Sequence, residues 1–191
     1  MKEKQEKTQE KKANMGKEIL GTIAYVAVIC LIVFLILRYV GQRTVVNGVS
    51  MADTLADGEN LIMDKLSYHF SDPERFDIVI FPGPEENGEH PYFIKRVIGL
   101  PGETVQIKDG KVYINEKELT DDVYGITDYI DIPGIAEEPL TLKADEYFCL
   151  GDNRPESFDS RYAEVGPVHR ADIVGKVWIR IWPLKKFGAV E

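Results

Sequence analysis

The chain has 191 residues, of which 44% are hydrophobic, and its formal net charge is −9. This size and composition suit one globular domain with an appendage, and two cysteines, Cys30 and Cys149, are too few for a disulfide framework. Residues 1–40 hold seven basic and four acidic side chains, so the rest of the chain carries a net charge of −12. Because such an acidic domain is poorly suited to binding nucleic acid, no nucleic-acid partner is expected.

An uncharged stretch near the N-terminus, Ile19–Leu37, predicts a transmembrane anchor over residues 19–40. At about 1.5 Å per residue, a helix of this length crosses the ~30 Å hydrocarbon core of a bilayer. The stretch is longer than the apolar part of a typical secretory signal, and no A-x-A-like cleavage site follows it. The lipid bilayer is therefore an expected partner, and a buried core helix is the alternative.

The flanking charges predict the orientation of this anchor. Basic residues are more numerous before the apolar stretch than after it, where Arg38 and Arg43 follow. Those before it are Lys2, Lys4, Lys7, Lys11, Lys12 and Lys17. Since Lys and Arg are retained in the cytoplasm, we expect a single-pass protein of the cell membrane with a cytoplasmic N-terminus and residues 41–191 as an extracytoplasmic domain. Residues 1–18, rich in Lys, Glu and Gln, are predicted to form a cytoplasmic disordered tail, with a short surface helix as the alternative.

The remainder of the sequence favours β-structure. Turn signals such as "LPGE" and "KDGK" separate short runs rich in Val, Ile and aromatic residues, and helical periodicity is weak. These runs are "ENLIMDKL", "FDIVIF", "YFIKRVIGL", "TVQIKDGKVYINEKEL", "EYFCLGD" and "KVWIRIW". Asp109-Gly110 predicts a hairpin turn. We therefore expect a mostly β domain with a folded-over antiparallel sheet, from which the acidic segment Thr120–Leu142 extends as an excursion.

A serine-bearing turn, "NGVSMADTL", follows the anchor closely, but it holds no side chain that would activate Ser50. A base would have to come from elsewhere in the chain. His69, His90 and His169 lie among charged or turn residues without metal-ligand spacing, so no metal site is expected and surface positions are favoured. A Ser-His-Asp triad is the alternative, but no local sequence supports it.

Lys95 is the second candidate for chemistry, because it falls inside the apolar run "YFIKRVIGL". Strand alternation places it on one face with Phe93 and Val97, where partial desolvation would lower its pKa. A shift to ~8, equivalent to roughly 3 kcal/mol, would make a useful fraction of neutral amine that can take a proton from a serine hydroxyl. The alternative is a lysine that extends to solvent from the strand.

A third candidate segment, "GDNRPESFDSR", spans Gly151–Arg161 after a hydrophobic strand. Its composition favours hydrogen bonds between side chains and backbone, as in a rigid polar surface loop.

In this order and behind one anchor, "SMADTL", "FDIVIF", "KRVIGLPGE" and "GDNRPESFDSR" resemble the motifs of bacterial type I signal peptidases that use a Ser-Lys dyad. "VGPVHRADIVGKVWIRIWPL" is similar to the closing strand region of that family. Gly48, two residues before the serine, resembles the short form typical of Gram-positive bacteria. The resemblance implies the signal-peptidase-like, LexA-like β fold with one N-terminal transmembrane helix.

The resemblance also implies roles for individual residues. Ser50 would be the nucleophile, its backbone N–H a donor to the oxyanion, and Lys95 the general base. Ser157 would hydrogen-bond the lysine amine. The supporting residues would be Asp159 and Arg161 as an ion pair, together with Asp152 and Arg96. No cofactor and no metal would be needed.

The expected function is that of a membrane-bound serine endopeptidase that removes signal peptides from exported preproteins after small residues at −1 and −3. Two alternatives remain at this point, namely a specialised Ser-Lys peptidase for pilus-type precursors and a non-catalytic, membrane-tethered β binding module. Asp53 departs from the family pattern, since proline is usual at this position of "SMxPTL".

Overall fold

The computed structural model describes residues 2–35, 41–125 and 129–190. The chain divides into two compact units, Met1–Val40 and Gly41–Glu191.

The first unit is a single helix, α1 (Lys2–Leu35). Its segment Lys17–Phe34 is long and apolar enough to cross a membrane, and every side chain from 17 to 34 is exposed, as a spanning helix requires and a core helix does not. Residues 36–40 of the predicted anchor lie outside the described residues. The backbone of residues 2–18 belongs to α1, and its Lys, Glu, Gln and Ala residues are good helix formers.

The second unit consists of two antiparallel sheets. Its strands are β1 (Gly41–Val45), β2 (Asn60–Asp64), β3 (Ile78–Pro82), β4 (Tyr92–Gly99), β5 (Thr104–Lys108), β6 (Lys111–Ile114), β7 (Lys117–Glu118), β8 (Leu140–Thr141), β9 (Glu146–Leu150), β10 (Val168–His169), β11 (Gly175–Trp182) and β12 (Gly188–Ala189). The larger sheet has the order β1-β2-β11-β3-β4-β9-β10, with β12 beside β11, and the smaller has the order β7-β6-β5-β8. The predicted mostly β, antiparallel fold is confirmed.

The strands that the sequence predicted are those with enough apolar residues to bury a face. The hairpin between β5 and β6 turns at Asp109 and Gly110, which both have the positive φ of a tight hairpin turn (51° and 76°). By contrast, β1 has only one large apolar residue, and β8, β10 and β12 are two residues long. Such strands leave almost no pattern in the sequence, and tertiary pairing forms them.

Strand β4 contributes to three hydrophobic clusters, and this determines where the site lies. Ile94 packs with the serine turn and β2, Val97 with Tyr147 and the opposite face of the larger sheet, and Ile98 with the smaller sheet. Two charged residues, Lys95 and Arg96, are buried between these apolar side chains. Strand β4 therefore holds two buried charges inside the apolar run that the sequence showed.

Candidate active site

Ser50 lies in a turn that two buried side chains hold against the core. Met51 (2% exposed) and Leu55 (0%) pack into the cluster around β2, and the Leu55 N–H donates to the Met51 carbonyl at 2.7 Å. Ser50 itself is half-buried, and its N–H has no acceptor within the described ranges. The turn therefore presents the serine hydroxyl and a free backbone donor at the surface of the domain.

Asp53 has a φ of +72°, in the left-handed region, and its side chain is exposed. Asp is among the few residues that tolerate this region, whereas the proline ring fixes φ near −65°. The departure from the family pattern therefore corresponds to a backbone conformation that proline cannot adopt.

Lys95 lies next to this serine. Its Nζ donates to Ser50 Oγ at 2.6 Å, and the side chain reaches the hydroxyl from β4 while the residue is only 3% exposed. Burial is the main cause that lowers the pKa of Lys95 to about 8, and the Asp159 carboxylate opposes that shift. The sequence alternative of a solvent-exposed lysine is wrong, because apolar residues surround β4 on both faces.

The loop Gly151–Arg161 is held by an ion pair between two of its own residues. Arg161 donates from Nε and Nη2 to the two carboxylate oxygens of Asp159 at 2.8 and 2.9 Å, and both side chains are buried. Asp159 also accepts from the Gly151 N–H at 3.0 Å. The pair therefore determines how the loop folds back on itself.

A second buried pair joins this loop to the strand and to the serine turn. Arg96 donates from Nε and Nη2 to the two Asp152 oxygens at 2.9 and 2.7 Å, and its guanidinium lies 3.6 Å from the centre of the Tyr124 ring. The Thr54 hydroxyl, in the serine turn, donates to the same carboxylate at 2.6 Å. Asp152 therefore connects three segments that are distant in sequence.

Ser157 differs from what the resemblance implied. The residue is 3% exposed, but its hydroxyl has no hydrogen-bond partner among the residues that the structure describes, and the lysine amine bonds Ser50 instead. The hydroxyl lies against Gly151, where an added β-carbon would overlap both Ser157 Oγ and the Ser50 carbonyl oxygen. Ser157 is thus part of the site without the expected bond.

Two residues that the sequence reasoning missed hold the serine turn from outside. Asn153 donates from its N–H to the Ser50 carbonyl and from Nδ2 to the Val49 carbonyl, both at 3.0 Å. Arg180, on β11, donates to the Thr54 carbonyl at 2.5 Å and is paired with the buried Glu59 at 2.8 Å. A hydrogen bond to a backbone carbonyl leaves no residue pattern in the sequence that could predict it. Asn153 does, however, lie within the loop motif Gly151–Arg161.

A groove of about 630 Å³ opens onto the Ser50–Lys95 pair. Its walls include Gly48–Met51 and Pro91–Lys95, together with Phe158. Strand β9 pairs with β4 from Arg96 to Gly99, so the same edge of β4 from Tyr92 to Ile94 has no strand partner in the described part of the chain. This free edge can accept an extended peptide by strand addition.

The histidines do not contribute to this site. His69, His90 and His169 bond Lys65, Gly83 and Asp145, respectively. Within the described ranges, no group of three or more His, Cys, Asp or Glu residues could hold a metal ion. The acid-base chemistry available to Ser50 therefore comes from Lys95.

The chain is similar to several known proteins. The sequence model of a family described as signal peptidase, peptidase S26, matches residues 19–182. Signal peptidase I of Leptolyngbya laminosa is 39% identical over 156 residues, which cover 78% of this chain and 73% of that protein. Signal peptidase IB of Staphylococcus aureus (strain COL) is 32% identical over 186 residues, which cover 91% of this chain and 94% of that protein. A crystal structure of a signal peptidase I from Enterococcus faecalis V583 matches at 37% identity and a TM-score of 0.44, over 56% of this chain and 97% of that one.

Proposed function

Because the chain belongs to the signal peptidase family, peptidase S26, we propose that Ser50 and Lys95 carry out the cleavage by which this serine endopeptidase removes N-terminal signal peptides from preproteins. The observation that carries the proposal is the 2.6 Å contact between Lys95 Nζ and Ser50 Oγ. A nucleophile and base within hydrogen-bond reach are what covalent catalysis requires.

The proposed reaction begins when neutral Lys95 accepts the Ser50 hydroxyl proton as Oγ attacks the scissile carbonyl. The Ser50 N–H, free of other acceptors in the described residues, donates to the oxygen that becomes negative. Gly48 cannot add a second backbone donor in this conformation, since its N–H donates to Asp57 at 2.7 Å.

The lysine then returns the proton to the leaving amine, the peptide C–N bond breaks, and the signal peptide remains as an ester on Ser50. Water attacks this ester through the same base, which releases the peptide as a carboxylic acid and restores the serine. Every step uses protein groups and water only.

The substrate is proposed to bind as an added strand along Tyr92–Ile94, with small residues at −1 and −3 facing the domain. The groove beside Ser50 supports this, because the apolar residues Met51 and Ile94 lie in its wall. The Asp159–Arg161 and Asp152–Arg96 pairs are proposed to hold the base and the serine turn, and Ser157 to line the lysine amine.

The membrane arrangement is also proposed. The helix segment Lys17–Phe34 anchors the protein, the lysine-rich segment before it lies in the cytoplasm, and residues 41–191 form the extracytoplasmic catalytic domain. Protease treatment of intact protoplasts should digest the domain 41–191, and its full protection would contradict this orientation.

The decisive experiment is cleavage of a purified preprotein by the full chain in detergent, with the new N-terminus read by mass spectrometry. Ser50→Ala and Lys95→Ala should each abolish cleavage while the thermal unfolding transition is retained. Ser71→Ala, a change at an exposed serine, is the matched control and should cleave normally.

The same assay separates the alternatives. Binding of the preprotein without cleavage by the wild type would favour a binding module. Cleavage of pilus-type precursors alone, out of a panel of secretory precursors, would favour a specialised peptidase.

A further inference from the structure

The excursion Thr120–Leu142 contacts the loop Gly151–Arg161, which supports the Ser50–Lys95 pair, at two places. The excursion residues that make these contacts lie outside the sequence motifs of the family. At the first point both Asp122 oxygens accept from Arg154 Nη2, at 2.9 and 2.7 Å. The two side chains are 6% and 4% exposed. Removing one partner of a buried ion pair lowers the free energy of unfolding much more than removing one partner of a surface ion pair does.

The second point is made by backbone groups. The Ile135 N–H donates to the Arg161 carbonyl at 2.8 Å, and Arg161 Nη1 donates to the Ile132 carbonyl at 3.3 Å. Gly134, between them, has a φ of +58°, and a β-carbon there would overlap the Arg161 carbonyl oxygen. The excursion therefore lies against both ends of the loop segment from Arg154 to Arg161.

Arg154 transmits the first contact to the nucleophile. Its Nε donates to the Gly151 carbonyl at 2.9 Å, and its own carbonyl accepts from Arg161 Nη2 at 2.7 Å. Gly151 abuts the Ser50 carbonyl, which also accepts from the Asn153 N–H at 3.0 Å. Only one residue, Gly151, thus separates the buried Asp122–Arg154 pair from the serine turn.

We propose that the excursion positions the loop Gly151–Arg161 against the serine turn, and that Asp122 is the positioning residue on which this depends. The inference rests on the proposed function, because its consequence is measured on the Ser50–Lys95 reaction. Asp122 does not touch the reacting atoms. It neutralises Arg154 and orients the guanidinium so that Nε reaches the Gly151 carbonyl.

The loop also determines the surroundings of the lysine amine. Three charged groups that act on Lys95, namely Asp159, Arg161 and Asp152, belong to this loop, and the buried Cys149 thiol on β9 also acts on it. A loosened loop would admit water to the amine and let these charges move. Both the placement of Ser50 and the protonation of Lys95 would then change together.

The test is Asp122→Asn in the full chain in detergent, with kcat and KM for one preprotein measured from pH 6 to 10 per folded molecule. We expect kcat to fall about tenfold to a hundredfold, because a misplacement of ~1 Å costs about that much. The ascending limb of the pH profile should move above pH 8, and hydrogen exchange over residues 151–161 should accelerate. Asp121→Asn, the same change on the exposed neighbouring side chain, is the matched control and should leave all of these unchanged.

A second variant keeps the test decisive if Asp122→Asn fails to fold. The pair Asp122→Leu with Arg154→Met removes both charges and retains apolar volume, so that folding should be preserved while the bond to the Gly151 carbonyl is lost. This double variant should show the same loss of kcat and the same shifted limb. A folded double variant with the wild-type kcat and pH profile would overturn the inference. Asp122→Glu, which keeps the charge, should retain most of the wild-type activity.

The two proposals fail in different ways. If the wild type does not cleave, or Ser50→Ala still cleaves, the proposed function fails. If the wild type cleaves and Ser50→Ala does not, but folded Asp122→Asn behaves as the wild type, only the positioning role fails.

Discussion

The buried Lys95 amine leads to a quantitative prediction for the pH dependence of cleavage. With a pKa of about 8, the lysine is neutral in roughly 1% of molecules at pH 6 and in roughly 90% at pH 9. If the neutral amine is the base, kcat/KM should rise about ninetyfold between these pH values, since kcat/KM reports the free enzyme. On a logarithmic plot the slope should be one well below pH 8 and should level off above it. An ordinary lysine would place this rise more than two pH units higher.

The assay measures initial rates of preprotein cleavage by the full chain in detergent, in buffers of constant ionic strength. Lys95→Arg is the sharpest variant, because it keeps a cation beside Ser50 but cannot lose its proton at these pH values, so cleavage should be abolished throughout. Lys108→Ala, at an exposed strand lysine of the smaller sheet, should show the wild-type profile. An ascending limb near pH 10 would refute the lowered pKa of Lys95, and measurable cleavage by Lys95→Arg would refute its assignment as the base.

Three further predictions concern stability and geometry. Asp53→Pro should lower the free energy of unfolding by at least about 1 kcal/mol, because proline cannot adopt a φ of +72°, whereas Asp53→Asn should stay within about 0.5 kcal/mol in a denaturant titration. Gly151→Ala should reduce kcat with a smaller effect on KM, because the new β-carbon displaces the Ser50 carbonyl or Ser157, and an unchanged kcat would contradict the close approach. Lys95→Met should stabilise the fold by up to about 3 kcal/mol at pH 7, as judged by thermal unfolding. The pKa of Lys95 is lower in the folded than in the unfolded chain, so the unfolded chain binds more protons between about pH 8 and 10.5. The stability of the wild type therefore rises with pH across that window. The stability gained by Lys95→Met should accordingly vanish towards pH 10.5.

Much of the candidate site could be read from short-range sequence, because its groups are unusual for their surroundings. Lys95 and Arg96 stand inside an apolar strand, and a charge in that position must be paired or neutralised. The Asp159–Arg161 pair also spans only two residues, so a local loop can form it. For the same reason the larger strands and the Asp109-Gly110 hairpin follow from periodicity and turn chemistry, which act between near neighbours.

Other features depend on contacts between segments far apart in the chain. The bond from Asn153 to the Ser50 carbonyl, the pairing of Arg180 with Glu59, and the closure of Asp122 on Arg154 all join such segments. One of the three acceptors is a backbone carbonyl, which every residue has, and the other two are single carboxylates in variable surroundings. No pattern in the sequence marks which of them will meet.

The amino-acid sequence by itself predicted a helix of membrane-spanning length and the β character of the domain, since hydrophobicity and strand alternation are properties of local sequence. It predicted the Ser50–Lys95 pair through the motifs that resemble those of a known family. Only the tertiary structure decided that Lys95 is buried 2.6 Å from Ser50, that the Ser157 hydroxyl has no partner among the described residues, and that Asp53 takes a backbone conformation that proline cannot adopt. These depend on how two sheets and three loops pack around one point, and packing is a property of the folded chain as a whole.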